Sequence, residues 1–138
     1  SNKIKQVLIN LILNAYDAMM EKQVMPSKEE KSWPARLTIT TEKASSDHPS
    51  LQSYKEKTSG ACALLTVSDT GTGIAGSNLE KIFDPFFTTK SPGKGNGLGL
   101  AISLRIVESF KGHIYVESTE GEGSTFMIVL PIAGESTN

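Results

Sequence analysis

Two carboxamides and a carboxylate recur along one side of the first apolar segment, Asn10-Leu-Ile-Leu-Asn14-Ala-Tyr-Asp17. A helix turning 100° per residue brings Asn10, Asn14 and Asp17 within about 60° of one another, and Gln6 extends the stripe one turn back. Ile4, Val7, Leu8, Leu11, Ile12, Ala15 and Ala18 take the opposite side, with Ile9 and Leu13 flanking the stripe. Leaving amides unpaired in apolar surroundings costs roughly 2–7 kcal/mol on the harsher transfer scales. The pattern therefore predicts a buried helix whose polar stripe holds something polar.

Three glycine clusters are the second chemical feature: Asp69-Thr-Gly71-Thr-Gly73-Ile74, Gly93-Lys-Gly95-Asn-Gly97-Leu98-Gly99-Leu100 and Gly121-Glu-Gly123-Ser124-Thr125. Glycine permits close backbone approach and positive φ, and a glycine-rich turn opening a helix is a ready phosphate site. Each cluster alone is equally a plain turn, and the third sits where a hairpin must turn anyway. Two familiar nucleotide patterns fail. Gly71-Thr-Gly73-Ile-Ala-Gly76 fits GxGxxG, but Phe83-Asp-Pro-Phe86-Phe87 follows where a dinucleotide-binding fold needs a long apolar helix, and GxxxxGK[ST] is absent.

The elements that must position these residues follow from periodicity and punctuation. A helix is predicted from about Asn2, as a possible N-cap, to Lys22, then a polar loop to Pro34. Leu37 and Ile39 alternate with Thr38 and Thr40 in a strand from Arg36 to Lys43, and Ala61 to Ser68 is a second strand. Between them, Ala44 to Gly60 reads as an exposed hairpin loop. Asn78 to Phe83 is expected to add a helical turn, Leu98 to Lys111 a second long helix, and Gly112 to Ser118 with Ser124 to Pro131 a final hairpin. Hairpins in place of βαβ crossovers argue for an α+β two-layer sandwich and against a doubly wound parallel sheet. The 138 residues suit one domain, 1–138, with a tail at 133–138. A net charge of −1 gives no electrostatic case for nucleic acid or a membrane surface. The lone Cys62, in an apolar run, is expected to be a small buried hydrophobe, which fits a cytoplasmic setting. The chain opens on a helix with no preceding strand, so a piece of a longer protein is expected.

The motifs, in their order, resemble the catalytic ATP-binding domain of bacterial sensor histidine kinases, relatives of the Hsp90 chaperones, DNA gyrase B and the MutL proteins. Lys5 to Ala15 resembles the family's asparagine box, and Asp69 to Ile74 its first glycine box. Phe83-Asp-Pro-Phe86-Phe87-Thr-Thr-Lys90 resembles the phenylalanine box. Gly95 to Ala101 resembles the second glycine box, and Gly121 to Phe126 the last glycine motif. The Asn-Ala-x-Asp-Ala and Phe-Phe-Thr-Thr-Lys forms are closest to the nitrogen-regulation (NtrB-like) branch. The resemblance implies the Bergerat fold, a mixed, mainly antiparallel sheet with helices on one face, with ATP and Mg²⁺ as cofactors.

It also implies roles. Asn14 would coordinate Mg²⁺ through its amide oxygen, and Asn10 would assist at the metal or its waters, with Asp17 on the same nucleotide-binding stripe. Asp69 would accept a hydrogen bond from the adenine amino group, while Gly71, Gly73 and Ile74 line the base. Gly95, Gly97, Leu98, Gly99 and Leu100 would bring backbone N–H groups to the phosphates. Residues 75–96 would form a lid from which Lys90 reaches a phosphate, with Phe83, Phe86 and Phe87 packing it down; ordinary core packing is the alternative for these rings. Ser124 or Thr125 would lie beneath the adenine.

One departure within the wider family bears on the reaction. The ATPase relatives carry a glutamate base where this chain has Asn10, and an amide cannot take up a proton at neutral pH. The resemblance therefore implies transfer of the γ-phosphoryl group to a histidine, with slow hydrolysis. Neither His48 nor His113 resembles an acceptor, so the partners implied are an N-terminal dimerisation and acceptor domain and a downstream response regulator. The alternatives are a degenerate nucleotide-binding module, or another ATPase or serine kinase of the superfamily.

Overall fold

The computed structural model of the chain describes residues 2–24, 34–44, 61–88 and 97–132. The polar-striped segment is helix α1 (Asn2–Val24), in which Asn2 is already helical. Strands β1 (Leu37–Ala44) and β2 (Cys62–Asp69) follow. A 3-10 turn (Gly76–Asn78), slightly earlier than the expected one, leads through further turns towards helix α2 (Gly99–Ser109). Strands β3 (His113–Thr119) and β4 (Gly123–Pro131) complete the order. The loops expected at 25–33 and 45–60, the tail from 133, His48, Lys90 and Gly95 lie outside the described residues.

The sheet order is β1-β2-β4-β3. All three pairings are antiparallel, so the parallel component of the expected mixed sheet is not found among the described strands. Successive strand residues point to opposite faces. On one face Val67, Ile114, Phe126 and Ile128 meet Val7 and Leu11 of α1 and Val107 of α2 in the main core. On the other, Cys62, Leu64, Met127 and Val129 form a smaller cluster with Tyr115. Both helices thus cover one face of the sheet, the two-layer α+β architecture. Cys62 is fully buried with a free thiol, as its apolar run implies. His113 packs its ring 4.7 Å from that of Tyr115.

The expectation of a buried α1 needs correction. Val7, Leu11 and Ala15 point inward, but Ile9, Leu13 and Tyr16 are more than half exposed. A helix lying on a sheet buries one stripe only, whatever the apolar content of its other sides. The amides fall at the edge of that stripe: Asn10 and Asn14 are half-buried and Gln6 is exposed. No helix among the described residues is long and apolar enough to cross a membrane.

Candidate functional site

Helix α1 contributes a row of positions four residues apart, which reach the first turn of α2 at one end and the turns after β2 and β3 at the other. The Asn10 amide nitrogen donates to Ser103 Oγ (3.1 Å) and to the Gly99 carbonyl (3.4 Å), so it reaches the first turn of α2. The side chain of Asn14, one turn on, has no hydrogen-bond partner among the described residues. The Ala18 carbonyl accepts from Thr72 N (3.2 Å), and a Cβ at Gly71 would strike the Ala18 backbone. Lys22 Nζ donates to the carbonyls of Thr70 (3.2 Å) and Gly121 (2.9 Å). At 1.5 Å rise per residue, Asn10 and Ala18 lie about 12 Å apart along the axis. The helix therefore forms one long wall, with α2 at one end and the turn after β2 at the other.

Asp69 ends β2 opposite Ser124 on β4 and is only 8% exposed. Its Oδ1 accepts from Gly71 N at 2.8 Å, an Asx-type turn that folds the glycine segment back over the carboxylate. Burial pushes its carboxyl above the usual aspartate range. The N–H groups of Gly71 and Ser124, and the Lys22 ammonium, pull it back down. A buried carboxylate with these partners keeps acceptor capacity for a ligand donor.

Hydroxyls fix the surrounding turns. Ser118 Oγ accepts from Ile74 N (2.7 Å) and donates to the Gly123 carbonyl (2.8 Å). Its only proton is thereby spent, so Ser124 Oγ, 2.8 Å away, must be the donor in that pair. Ser124 Oγ is left able only to accept further bonds. Strand alternation separates the two hydroxyl candidates of the last glycine motif. Ser124 shares the helix-covered face with Asp69, whereas Thr125 pairs with Ser68 (2.7 Å) on the opposite face, so Thr125 is removed from the site. Gly73 (φ 71°) and Gly123 (φ 131°) hold conformations that side chains rarely adopt, with backbone atoms of Thr119 and Asp69 where their Cβ would be.

At the other end, Leu98 caps α2 without a side-chain hydrogen bond. Among the described residues, the first-turn N–H groups of Gly99 and Leu100, beside the Asn10 amide, therefore have no side-chain acceptor. The carbonyl of Gly97 (φ 71°) accepts from Phe86 N (2.9 Å), which ties the turn at Phe86 to the start of α2. Phe83 and Phe87 pack on the main core. Phe86 does not share that packing: it is 72% exposed, with φ 69°.

The structure thus brings Gly99 to Asn10 and Gly71 to Ala18. Asp69 and Ser124 are paired beside Gly71; Gly73 and Ile74 are held against the end of β3; and Gly97, Leu98 and Leu100 adjoin Gly99. Asn14 and Asp17 lie on α1 between Asn10 and Ala18. Three contributors escaped the sequence reading. Ser103, fully buried on α2, and Ser118, inward-facing after Ile114 and Val116, are hydroxyls at core-facing positions, which periodicity could have flagged. Lys22 continues the four-residue spacing from Asn10.

Residues 1–134 match the family described as histidine kinase-, DNA gyrase B-, and HSP90-like ATPase. Sensor kinase CckA of Brucella abortus is 39% identical over 94% of this chain and 12% of its own length. Sporulation kinase C of Bacillus subtilis is 36% identical over 98% of the chain and 25% of its own length. Sensor histidine kinase ZraS of Escherichia coli is 37% identical over 95% and 22%. The chain spans a quarter or less of the length of these curated relatives. Among solved structures, the nucleotide-free catalytic domain of histidine kinase ThkA aligns with a TM-score of 0.64 at 32% identity, over 94% of this chain and 66% of that one. Full-length ShkA, solved in complex with AMPPNP, shares the fold with a TM-score of 0.66 at 23% identity, over 94% and 21%.

Proposed function

The chain belongs to the histidine kinase-, DNA gyrase B-, and HSP90-like ATPase family, and we propose that it binds Mg·ATP and passes the γ-phosphoryl group to a histidine on a separate acceptor domain. The observation that carries this reading is the α1 wall, which joins a buried carboxylate with glycine turns at one end to an uncapped helix N-terminus and amides at the other. The longer protein would supply the dimerisation and acceptor domain, acting with a response regulator and without nucleic acid. Residues 1–138 would form its cytoplasmic catalytic unit, with a lid at 75–96.

The residues present fit the ligand. Asp69 accepts from the adenine amino group while Gly71 and Gly73 let the backbone approach the base, and Ser124 presents an acceptor oxygen nearby. Ile74 is held there through its N–H by Ser118. The N-terminus of α2, with Gly97, Leu98, Gly99 and Leu100, offers N–H donors and a positive dipole end to the phosphates, joined by Gly95 and Lys90 from the lid. Phe83 and Phe87 seat the lid root. Asn14 has a carboxamide oxygen open to a hard cation, and magnesium is commonly held by one or two protein oxygens, phosphates and waters. When bound, that ion neutralises developing phosphate charge. Asn10 spends its N–H₂ on Ser103 and Gly99, which leaves its oxygen as an acceptor and ties the amide stripe to α2. Asp17 extends the same stripe. With no carboxylate base at position 10, these residues bind, orient and exclude water, which favours transfer over hydrolysis.

Calorimetric titration tests the reading. Mg·ATP binds the wild-type chain, and Asn14→Ala loses the Mg²⁺-dependent part of the affinity. Equal affinity with and without Mg²⁺ in both proteins removes the metal role of Asn14, and absence of ATP binding removes the nucleotide site.

A further inference from the structure

We infer that Lys22 is a positioning residue for base recognition: its ammonium clamps the turn after β2 to the β3–β4 turn and so holds Asp69 in register with the adenine amino group. The inference rests on the nucleotide-binding reading above. Lys22 lies three α1 turns beyond Asn10, outside the motifs that define the family resemblance.

The clamp is visible in its bonds. Lys22 Nζ donates to the Thr70 carbonyl, which directly follows Asp69, and to the Gly121 carbonyl at the tip of the β3–β4 turn. Gly121 N in turn donates to the Thr72 carbonyl (2.7 Å), and Thr72 N donates to Ala18 on α1. Gly123, just past the tip, packs so closely on Asp69 that no Cβ fits between them. Three segments far apart in sequence therefore meet at one side chain, and Asp69 stands at their junction. Two carbonyl oxygens converging on one point repel each other unless a cation lies between them. A neutral side chain at position 22 lets the two turns separate and carries the Asp69 backbone with them.

The charge has a second consequence. Lys22 is the cation whose field reaches the buried Asp69 carboxylate, and its attraction opposes the effect of burial. The other groups facing Asp69, the N–H of Gly71 and of Ser124, are uncharged. An ionised, fixed carboxylate accepts from the 6-amino group of ATP and repels the 6-oxo group of inosine triphosphate. A carboxyl that moves, or that takes up a proton, discriminates less between the two.

The test is the ratio of inosine triphosphate to ATP dissociation constants, measured by titration on the wild-type chain and on Lys22→Met, Lys22→Gln and Lys22→Arg, with thermal melts alongside. The expected result is a ratio about tenfold lower in Lys22→Met and Lys22→Gln, the scale of one charge-assisted hydrogen bond, with Lys22→Arg restored to near wild type. If Lys22→Met does not fold, Lys22→Gln, which keeps a donor without charge, decides the matter. Affinities for the two nucleotides that fall together, leaving the ratio unchanged, reduce Lys22 to a structural contact and overturn the inference. A wild-type chain that binds ATP without discriminating overturns it too. A wild-type chain that binds neither nucleotide refutes the nucleotide reading itself, a distinguishable outcome.

Discussion

Asp69 is the residue at which stability and recognition pull apart. Burial makes its carboxyl harder to ionise in the folded domain than in the unfolded chain. Its contribution to stability therefore declines as pH rises from the ordinary aspartate value through the raised folded value, and is constant above that. Asp69→Asn keeps an acceptor for Gly71 N and removes the buried charge. The substitution is expected to change stability by less than about 1 kcal/mol at neutral pH, while ATP affinity drops at least tenfold; a thermal melt and a titration check the two halves. For the wild type, ATP affinity is expected to fall on acidification with a midpoint above the ordinary aspartate value, and a flat profile across that range would contradict it. The position of Asp69 at the end of a strand, before a glycine pair, was legible in the sequence, while its role came only from the family resemblance. The choice between Ser124 and Thr125 was not. It depends on strand register, and a shift of one residue exchanges the two faces of a strand.

Elements rather than single side chains set the distance between the two ends of the site, and α1 is the ruler. Its amide stripe was readable from spacing, but its burial was misjudged. Ile9, Leu13 and Tyr16 carry the same apolar signal as Val7 and Leu11, and only the packing against the sheet shows which stripe faces in. The joins between elements are equally tertiary. Ser103 meets Asn10 across 93 positions of sequence, beyond any local pattern. Ser103→Ala leaves the Asn10 amide half-paired, so phosphoryl transfer should slow while the base contacts are untouched. The check is a lower transfer rate with ATP affinity within about threefold of wild type, well under the effect of losing a charged hydrogen bond. Gly123→Ala is a harsher change, since the residue has φ 131° and a neighbour occupying the Cβ position. Destabilisation of at least 1–3 kcal/mol is expected from the strained backbone alone, on the order of other forced conformations, measurable by denaturant unfolding.

For the whole molecule, two layers carry the proposed nucleotide site, and the proposed reaction would be divided between chains or domains. The fold class followed from the order of hairpins and helices, and the family from five motifs in sequence. The absence of a parallel pairing among the described strands was not foreseeable from local pattern, because pairing direction depends on what lies beside each edge. Leu11→Ala, in the core between the layers, should cost about 2–5 kcal/mol and lower the melting point without altering which nucleotide binds. The central claim is that Asn10, an amide where related ATPases carry a base, commits the domain to transfer. Its most direct measurement follows γ-labelled ATP with the domain alone and with the helical acceptor domain of its full-length protein. The account predicts hydrolysis far slower than the about 10 per second of a median enzyme when the domain is alone. With the acceptor present, it predicts acid-labile label on an acceptor histidine, lost with Asn14→Ala. Rapid hydrolysis by the isolated domain, or no labelled histidine on the acceptor, would contradict it.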